Sequence, residues 1–381
     1  MRIAIDINGI TERSGGVGNY VRLLVQELAA IDRRNEYLLY LHHWRAIDGA
    51  ALRRVVPQQP NFQLVFHRMP NSVALFSEYK LGFRLTEALL KRRAIDVFHG
   101  PVNIVPRFKS MRSVLTLHHY KMDSFLPRDL GARGRLYFEV SAQAAAAADR
   151  IITVSEATKK TIVQELGIPS EKCTVVYPGG PHPVHRTLPG VALPPALAER
   201  LPGRYILFPG PLNLRKNLPM LLEAFASVQD RLGGYRIAVT GQPSAAYAAA
   251  ILALAQRLGL GANVVLLGEV SMEEMARLYN RAEFLAYPSL YEGFGSPPLE
   301  AMACGCPVMA SGTTAIPEVV GDAALLFDPA NREAVAQALL RMTGDPALRR
   351  DLAAKGLERV KRFSWRRMAE AILEIYRQAG S

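Results

Sequence analysis

Residues 284–300 read Phe-Leu-Ala-Tyr-Pro-Ser-Leu-Tyr-Glu-Gly-Phe-Gly-Ser-Pro-Pro-Leu-Glu. The continuous apolar run Phe284–Tyr287 has the pattern of a strand covered on both faces. A glycine-rich turn follows. Ser296 then reads as a helix N-cap and Pro297 as the first helical residue. The stretch is therefore a strand–turn–helix unit, with Glu292 before the turn and Glu300 in the first helical turn. Amides at such a helix start, with the positive end of the dipole, form an anion site. Gly293 and Gly295 allow a ligand to approach the backbone closely. A carboxylate at Glu300 is placed to accept from both hydroxyls of a ribose. A merely well-capped helix explains Glu300 but leaves Glu292-Gly-Phe-Gly without a purpose.

The same alternation runs outward in both directions. Strands are expected at Arg2–Ile7, Tyr37–His42, Gln63–His67, Asp96–His99, Ser113–His118, Arg150–Ser155 and Thr174–Tyr177. A second set is expected at Tyr205–Pro209, Arg236–Thr240, Val264–Gly268, Phe284–Tyr287, Pro307–Ala310 and Leu325–Asp328. Amphipathic stretches lie between them, including Val17–Ile31, Leu218–Arg231, Glu273–Arg281 and Ala334–Met342. Repeated β-α units predict right-handed crossovers and doubly wound α/β sheets. Pro and Gly cluster from Pro178 to Gly203 and mark a boundary. The expected domains are 1–188 and 189–363, with a terminal helix over 364–381 packing back on the first. Ligands of such sheets bind beyond the carboxyl ends of the strands, so a cleft between two such domains is the expected site.

Arg215-Lys216-Asn217 follows the strand Tyr205–Pro209 after one short loop. Two adjacent cations there suit a diphosphate: Arg supplies a planar fork and Lys a point charge. Gly15-Gly16-Val17-Gly18 opens the first long helix. As a dinucleotide fingerprint it fails, because Val21 stands where the third glycine belongs. As a helix start that admits a diphosphate it is sound.

Together these motifs resemble the family 4 retaining glycosyltransferases. Pro288 to Gly295 followed by Glu300-Ala301-Met302-Ala303-Cys304-Gly305 is similar to that family's E-x7-E region. Ile316 to Ala324 is similar to its next segment. Gly268-Glu269-Val270 with Leu278-Tyr279 is similar to its nucleotide-base segment, and Gly15-Gly16-Val17-Gly18 to its acceptor-domain loop. The resemblance implies the GT-B fold, two Rossmann-like domains around a cleft, with the donor held by the second domain and the acceptor by the first. It implies catalysis by His118, Glu292, Arg215 and Lys216. It implies donor contacts from Gly15, Gly16, Gly210, Val270, Gly293, Phe294, Gly295, Ser296 and Glu300 as well. Glu292 would hold the sugar and Glu300 the ribose. Two positions depart from the family pattern. His119 follows His118 where relatives carry Asp, and Pro211 follows Gly210 where some carry Arg. The motif run is most similar to mannosyl- and rhamnosyltransferases of bacterial surface polysaccharides. The implied co-substrate is a nucleotide-diphosphate sugar, with GDP-mannose as the first expectation and a glycan or lipid-linked acceptor. A GT-B epimerase or sugar phosphorylase is the alternative within enzymes.

Composition bounds these readings. Half of the 381 residues are hydrophobic (49%), which excludes disorder as the main state. No run of about 18 apolar residues predicts a membrane span, and the N-terminus has no signal-peptide layout. Three cysteines are too few for a disulfide framework, and a reducing cytoplasm is the expected compartment. No Asp-x-Asp occurs, so neither a metal nor a separate cofactor is expected. No P-loop pattern occurs either. The net charge of +12 is uneven: residues 1–190 carry 26 basic against 16 acidic side chains, and the remainder 20 against 18. Such a basic half seeks an anionic partner. A nucleic-acid-binding protein is the alternative of another class, but no helix-turn-helix, RRM or zinc-finger motif supports it, so no nucleic acid is expected. An anionic membrane surface fits better, with peripheral attachment to the inner face of the cytoplasmic membrane. Lys80, Arg84, Lys91, Arg92 and Arg93 cluster in what reads as one helical stretch with Leu75, Phe76, Leu81, Phe83 and Leu85, a pattern that fits a membrane interface and, equally, an ordinary amphipathic helix packed on the sheet.

Overall fold

The computed structural model describes residues 1–8, 10, 16–43, 56–119 and 132–380. The chain divides into two units, Met1–Gly179 with Ser364–Ser381, and Gly180–Phe363. The division falls at the start of the Pro–Gly stretch rather than at 188. Residues beyond it are tied to the second unit: the Asn280 amide donates to the Arg186 carbonyl, and its oxygen accepts from the Leu188 N–H at 2.7 Å.

The first unit holds β1 (Arg2–Asp6), α1 (Gly16–Ile31), β2 (Glu36–His42), β3 (Phe62–His67), α2 (Asn71–Tyr79) and α3 (Leu85–Leu90). It continues with β4 (Val97–Gly100), β5 (Arg112–Leu117), α4 (Ala132–Ala147), β6 (Arg150–Thr153), α5 (Glu156–Leu166) and β7 (Cys173–Val175). All seven strands are parallel, in the order 3-2-1-4-5-6-7. The chain starts at β1, winds outward through β2 and β3, then returns to β4 on the other side. Val/Ile/Leu-rich strands such as Ile3-Ala4-Ile5 are wholly buried because helices cover both faces. One cover is the C-terminal helix Trp365–Gly380, whose Met368, Ile372 and Tyr376 join Tyr20, Leu24 and Leu28 of α1 in one core.

The basic stretch near residue 80 is not one helix. α2 stops at Tyr79 and α3 starts at Leu85. Gly82 turns the chain at φ +73°, and the Glu78 carboxylate caps the second helix by accepting from Thr86 N–H at 2.8 Å. A left-handed glycine and a long-range cap override the helical periodicity.

The second unit contains α6 (Pro195–Arg200), β8 (Tyr205–Phe208), α7 (Leu218–Ser227), β9 (Arg236–Thr240), α8 (Ala245–Arg257), β10 (Val264–Gly268) and α9 (Met272–Arg281). It ends with β11 (Phe284–Tyr287), α10 (Ser296–Ala303), β12 (Val308–Ser311), α11 (Ile316–Val320), β13 (Leu325–Phe327), α12 (Arg332–Gly344) and α13 (Pro346–Val360). Its six parallel strands run 10-9-8-11-12-13, the order of a dinucleotide-binding sheet with β8 first. The order reverses between β8 and β11. Adjacent chains leave that point in opposite directions and open a crevice at the carboxyl ends of the two strands. Among the described residues, no helix is long and apolar enough to cross a membrane.

Candidate active site

The crevice of the second unit is floored by the loops after β8 and β11. After β8, Gly210 lies against the loop after β9. A Cβ built on it would come 2.7 Å from the Thr240 carbonyl oxygen and 2.8 Å from the Gly241 Cα, so only glycine fits. The chain then makes a single 3-10 turn, Leu214–Lys216, capped by the Asn213 side chain. This turn delivers Arg215 and Lys216 to the crevice. The loop after β11 is pinned to it: Leu290 N–H donates to the Arg215 carbonyl at 2.9 Å.

The two loops meet at Glu292. Its Oε1 accepts from Lys216 Nζ at 2.8 Å, Tyr287 OH at 2.8 Å and Ser289 Oγ at 2.7 Å. Its Oε2 pairs with Arg215 Nη1 at 2.6 Å. Its own N–H donates to Thr314 Oγ1 at 3.0 Å. Lys216 also donates to the Tyr287 hydroxyl and lies over that ring. Lys216 is 3% exposed and Glu292 7%. Burial by itself would raise the Glu292 carboxyl; Lys216 and then Arg215 overcome it and hold the group at about 2. Burial pulls the Lys216 ammonium down, and Glu292 opposes that pull. For Arg215 burial again pulls down, but Glu292 together with Tyr287 and Tyr291 more than offsets it and the guanidinium is raised.

Glu292 thus has a structural duty that its place in the sequence does not reveal. Its carboxylate is occupied on both oxygens. It holds two neighbouring cations side by side that would otherwise repel each other. The cluster keeps one net positive charge, fixed in place before any ligand arrives. Preorganised charge of this kind needs no reorganisation when an anion binds or a leaving group develops charge.

The helix that follows also differs by one residue from its expected start. Gly295, at φ +99°, is the N-cap, and Ser296 is the first helical residue of α10. A Cβ on Gly295 would sit 2.4 Å from Ile316 Cδ1, which is why the left-handed cap displaces serine. Pro297 and Pro298 carry no N–H. The amides at this end therefore belong to Ser296 and to the turn Gly293–Gly295. Phe294 is buried and stacks edge-on with Phe363, with centroids 5.6 Å apart. Glu300 is the fifth residue of α10, one residue further in than expected, so the helix has no acidic first turn. Tyr279 OH donates to its Oε2 at 3.0 Å, and burial raises its carboxyl despite that bond. Val270 is half-buried and immediately precedes the Ser271–Glu274 capping box that opens α9.

In the first unit, Gly16 is the exposed first residue of α1, and Gly15 lies outside the described residues. His118 follows β5 directly. Its N–H donates to Asn103 Oδ1 at 2.7 Å, and its Nε2 lies 2.9 Å from the Pro101 carbonyl. That carbonyl can only accept, so Nε2 carries the proton and Nδ1 keeps its lone pair. Burial lowers the ring to about 4, so it is neutral at pH 7. His99 lies one residue before the end of β4. It is wholly buried, and its nitrogens meet Tyr376 OH at 2.6 Å and Thr116 Oγ1 at 2.8 Å. Tyr287, Ser289 and Thr314, which fix Glu292, and the link from Tyr279 to Glu300 were not legible as site features. Only Tyr287-x-Ser289-x-x-Glu292 carries a local signal, because its members lie at the end of β11 and in the loop that follows it. Among the described residues, no group of three or more His, Cys, Asp or Glu is placed to hold a metal ion.

Residues 193–359 match the family model of glycosyl transferases group 1, and residues 14–180 match that of Glycosyltransferase Family 4. The chain belongs to the family 4 glycosyltransferases. This glycosyltransferase is 29% identical over 380 residues to O-antigen chain mannosyltransferase B of Escherichia coli, covering 95% of the chain and 96% of that relative. It is 30% identical over 244 residues to a D-inositol 3-phosphate glycosyltransferase of Rhodococcus opacus, covering 62% and 55% of the two chains. Its fold is that of sucrose-phosphate synthase from Thermosynechococcus elongatus, with TM-score 0.77 and 22% identity over 99% and 98% of the two chains. WaaG, a glycosyltransferase involved in lipopolysaccharide biosynthesis, superposes with TM-score 0.70 and 16% identity over 98% and 99%. The glycosyltransferase therefore has two Rossmann-like sheets of the GT-B kind, and its Lys216–Glu292–Arg215 cluster lies at the switch point of the second.

Proposed function

We propose that this glycosyltransferase moves mannose from GDP-mannose to a glycan or lipid-linked acceptor, with retention of the anomeric configuration and without a metal ion. The observation that carries the reading is the buried Lys216–Glu292–Arg215 cluster at the β8/β11 crevice. Arg215, Lys216 and the amides of Gly293–Ser296 would bind the donor diphosphate and take up the charge that grows on it. The acceptor oxygen bonds to the sugar C1 as the C1–O bond to phosphate breaks. The acceptor proton passes to the departing phosphate oxygen. Glu292 is saturated and ionised, so it serves as a positioning residue for the cations and not as a nucleophile. His118 would accept a sugar hydroxyl at Nδ1. Gly16 would leave room for the diphosphate, and Glu300, through its free oxygen, would take the ribose. Mannose is supported by the mannosyltransferase relative that matches almost end to end. Metal independence is supported by the absence of Asp-x-Asp and the presence of built-in cations. The reaction is assigned to the cytoplasmic face of a membrane carrying the acceptor.

A thermal-shift panel of GDP-, UDP-, ADP- and dTDP-sugars tests the donor. GDP-mannose should raise the melting temperature most, and a ligand at 100 times its Kd stabilises by about 2.7 kcal/mol. A larger shift with another sugar nucleotide overturns the donor. Inversion at C1 seen by NMR overturns retention. Turnover lost in EDTA and restored by magnesium overturns metal independence.

A further inference from the structure

The tip formed by α2, α3 and the turn between them leaves large apolar side chains half or more exposed. Phe83 is 64% exposed, Leu81 55%, Phe76 50% and Val73 49%. Val73, Phe76 and Lys80 follow one helical face, at i, i+3 and i+7. The opposite side buries Ala74, Glu78, Tyr79, Thr86 and Leu90, which anchor the tip to the unit. The turn itself is tightly built. Phe83 N–H donates to the Ser77 carbonyl at 2.9 Å, Leu81 N–H to the Phe76 carbonyl at 3.2 Å, and Glu78 holds Thr86. The apolar side chains are therefore held outward by a fixed backbone.

Basic residues ring this tip. Between residues 80 and 93 there are five basic side chains and one acidic. The acidic one, Glu87, is engaged by Ser110 Oγ and by the Lys109 and Ser110 N–H groups, with Arg84 at 3.8 Å. Lys80 pairs with Glu139. Lys91, Arg92 and Arg93 are exposed, and none has an ion pair among the described residues.

We propose that this tip docks the protein on an anionic lipid bilayer, with Phe76, Leu81 and Phe83 entering the interface and Lys91, Arg92 and Arg93 meeting the headgroups. Charge selects this occupant over others. A symmetric contact with a second copy would set two basic clusters face to face. A nucleic acid would satisfy the cations but give the half-exposed Phe and Leu side chains nothing to bury in. An anionic bilayer satisfies both at once. The docking surface deepens the membrane location proposed above. Its test needs neither donor nor acceptor, so the two readings can fail separately.

The test is co-sedimentation of the full chain with phosphatidylcholine vesicles, alone and with increasing phosphatidylglycerol. Binding should rise with phosphatidylglycerol and fall with salt. Arg92→Ser/Arg93→Ser should weaken it roughly 30-fold, at about fivefold per basic residue near an anionic leaflet. Phe83→Ser and Leu81→Ser should each weaken it roughly tenfold at unchanged charge. All four sites are exposed, and an unchanged melting temperature confirms the fold. Equal binding to neutral and anionic vesicles, or none, overturns the proposal. So does binding that the Phe83 and Leu81 variants leave untouched, which would be adsorption by charge alone. A self-association in sedimentation equilibrium that Phe83→Ser abolishes, without vesicle binding, would assign the tip to a second copy.

Discussion

Glu292 and Lys216 are buried together, and neither can be changed alone without leaving the other's charge uncompensated. Glu292→Gln keeps the shape of the side chain but leaves Lys216 and Arg215 adjacent with no anion between them. Breaking a buried pair in this way costs about 3–5 kcal/mol, to be read as a lower urea midpoint, along with loss of transfer. The sign of the pH dependence follows from the same pair. The folded-state value for Glu292, about 2, lies below its ordinary 4.5. The pair's contribution is therefore fully present above about 4.5 and is lost as pH falls toward 2. A plot of melting temperature against pH should lose that acid limb in the glutamine variant; an unchanged limb would show that the carboxylate is not charged in the folded protein. His118 makes a second residue-level prediction. Its folded value of about 4 lies below 6.5, so the neutral ring stabilises fully above 6.5 and progressively less as pH falls to 4. NMR titration of its ring should show no protonation between pH 8 and 5. A midpoint near 6.5 would free His118 for acid–base work that the buried geometry denies it.

At the scale of elements, two glycines at helix starts separate structure from ligand binding. Gly295 caps α10 in a left-handed conformation at φ +99°, against Ile316. Gly295→Ala should lower stability by about 1–3 kcal/mol through backbone strain, measurable by chemical denaturation without any substrate. Gly16 opens α1 with nothing among the described residues within 4 Å of a built Cβ. Gly16→Ala should leave the melting temperature unchanged or slightly higher, since alanine is the better helix former. If Gly16 also leaves room for a diphosphate, the same variant should raise the KM for the donor. Unaltered donor kinetics would reduce Gly16 to an ordinary helix start. Both helix starts are readable as glycine-rich turns. Which glycine is required by the backbone is not, because that depends on Ile316, 21 positions downstream of Gly295.

At the scale of the whole molecule, the last helix of the chain completes the first unit. Tyr376 OH reaches the buried His99 at 2.6 Å across 277 residues of sequence. Tyr376→Phe should leave a buried ring nitrogen unpaired and cost about 1–3 kcal/mol in denaturant unfolding; a neutral result would mean that water replaces the phenol. The thirteen strands among the described residues were all legible, because continuous Val/Ile/Leu runs broken by helical periods are local properties of the chain. The terminal helix was legible too, from Met368, Ile372 and Tyr376 on one face. Side-chain partnerships were not. Glu292 reads as a free carboxylate in sequence, and the cations that claim it stand 76 and 77 positions earlier. They meet only because the sheet order places β8 beside β11. The basic stretch near residue 80 reads as a single amphipathic helix, and its Leu and Phe side chains suit a core or a surface equally well. Only the turn at Gly82 and the cap from Glu78 decide that Leu81 and Phe83 face outward. Sequence determined the elements, their kind and the family, since these depend on short-range pattern. The tertiary structure decided which charges are paired and which apolar groups are left exposed, since burial and pairing depend on which distant elements become neighbours.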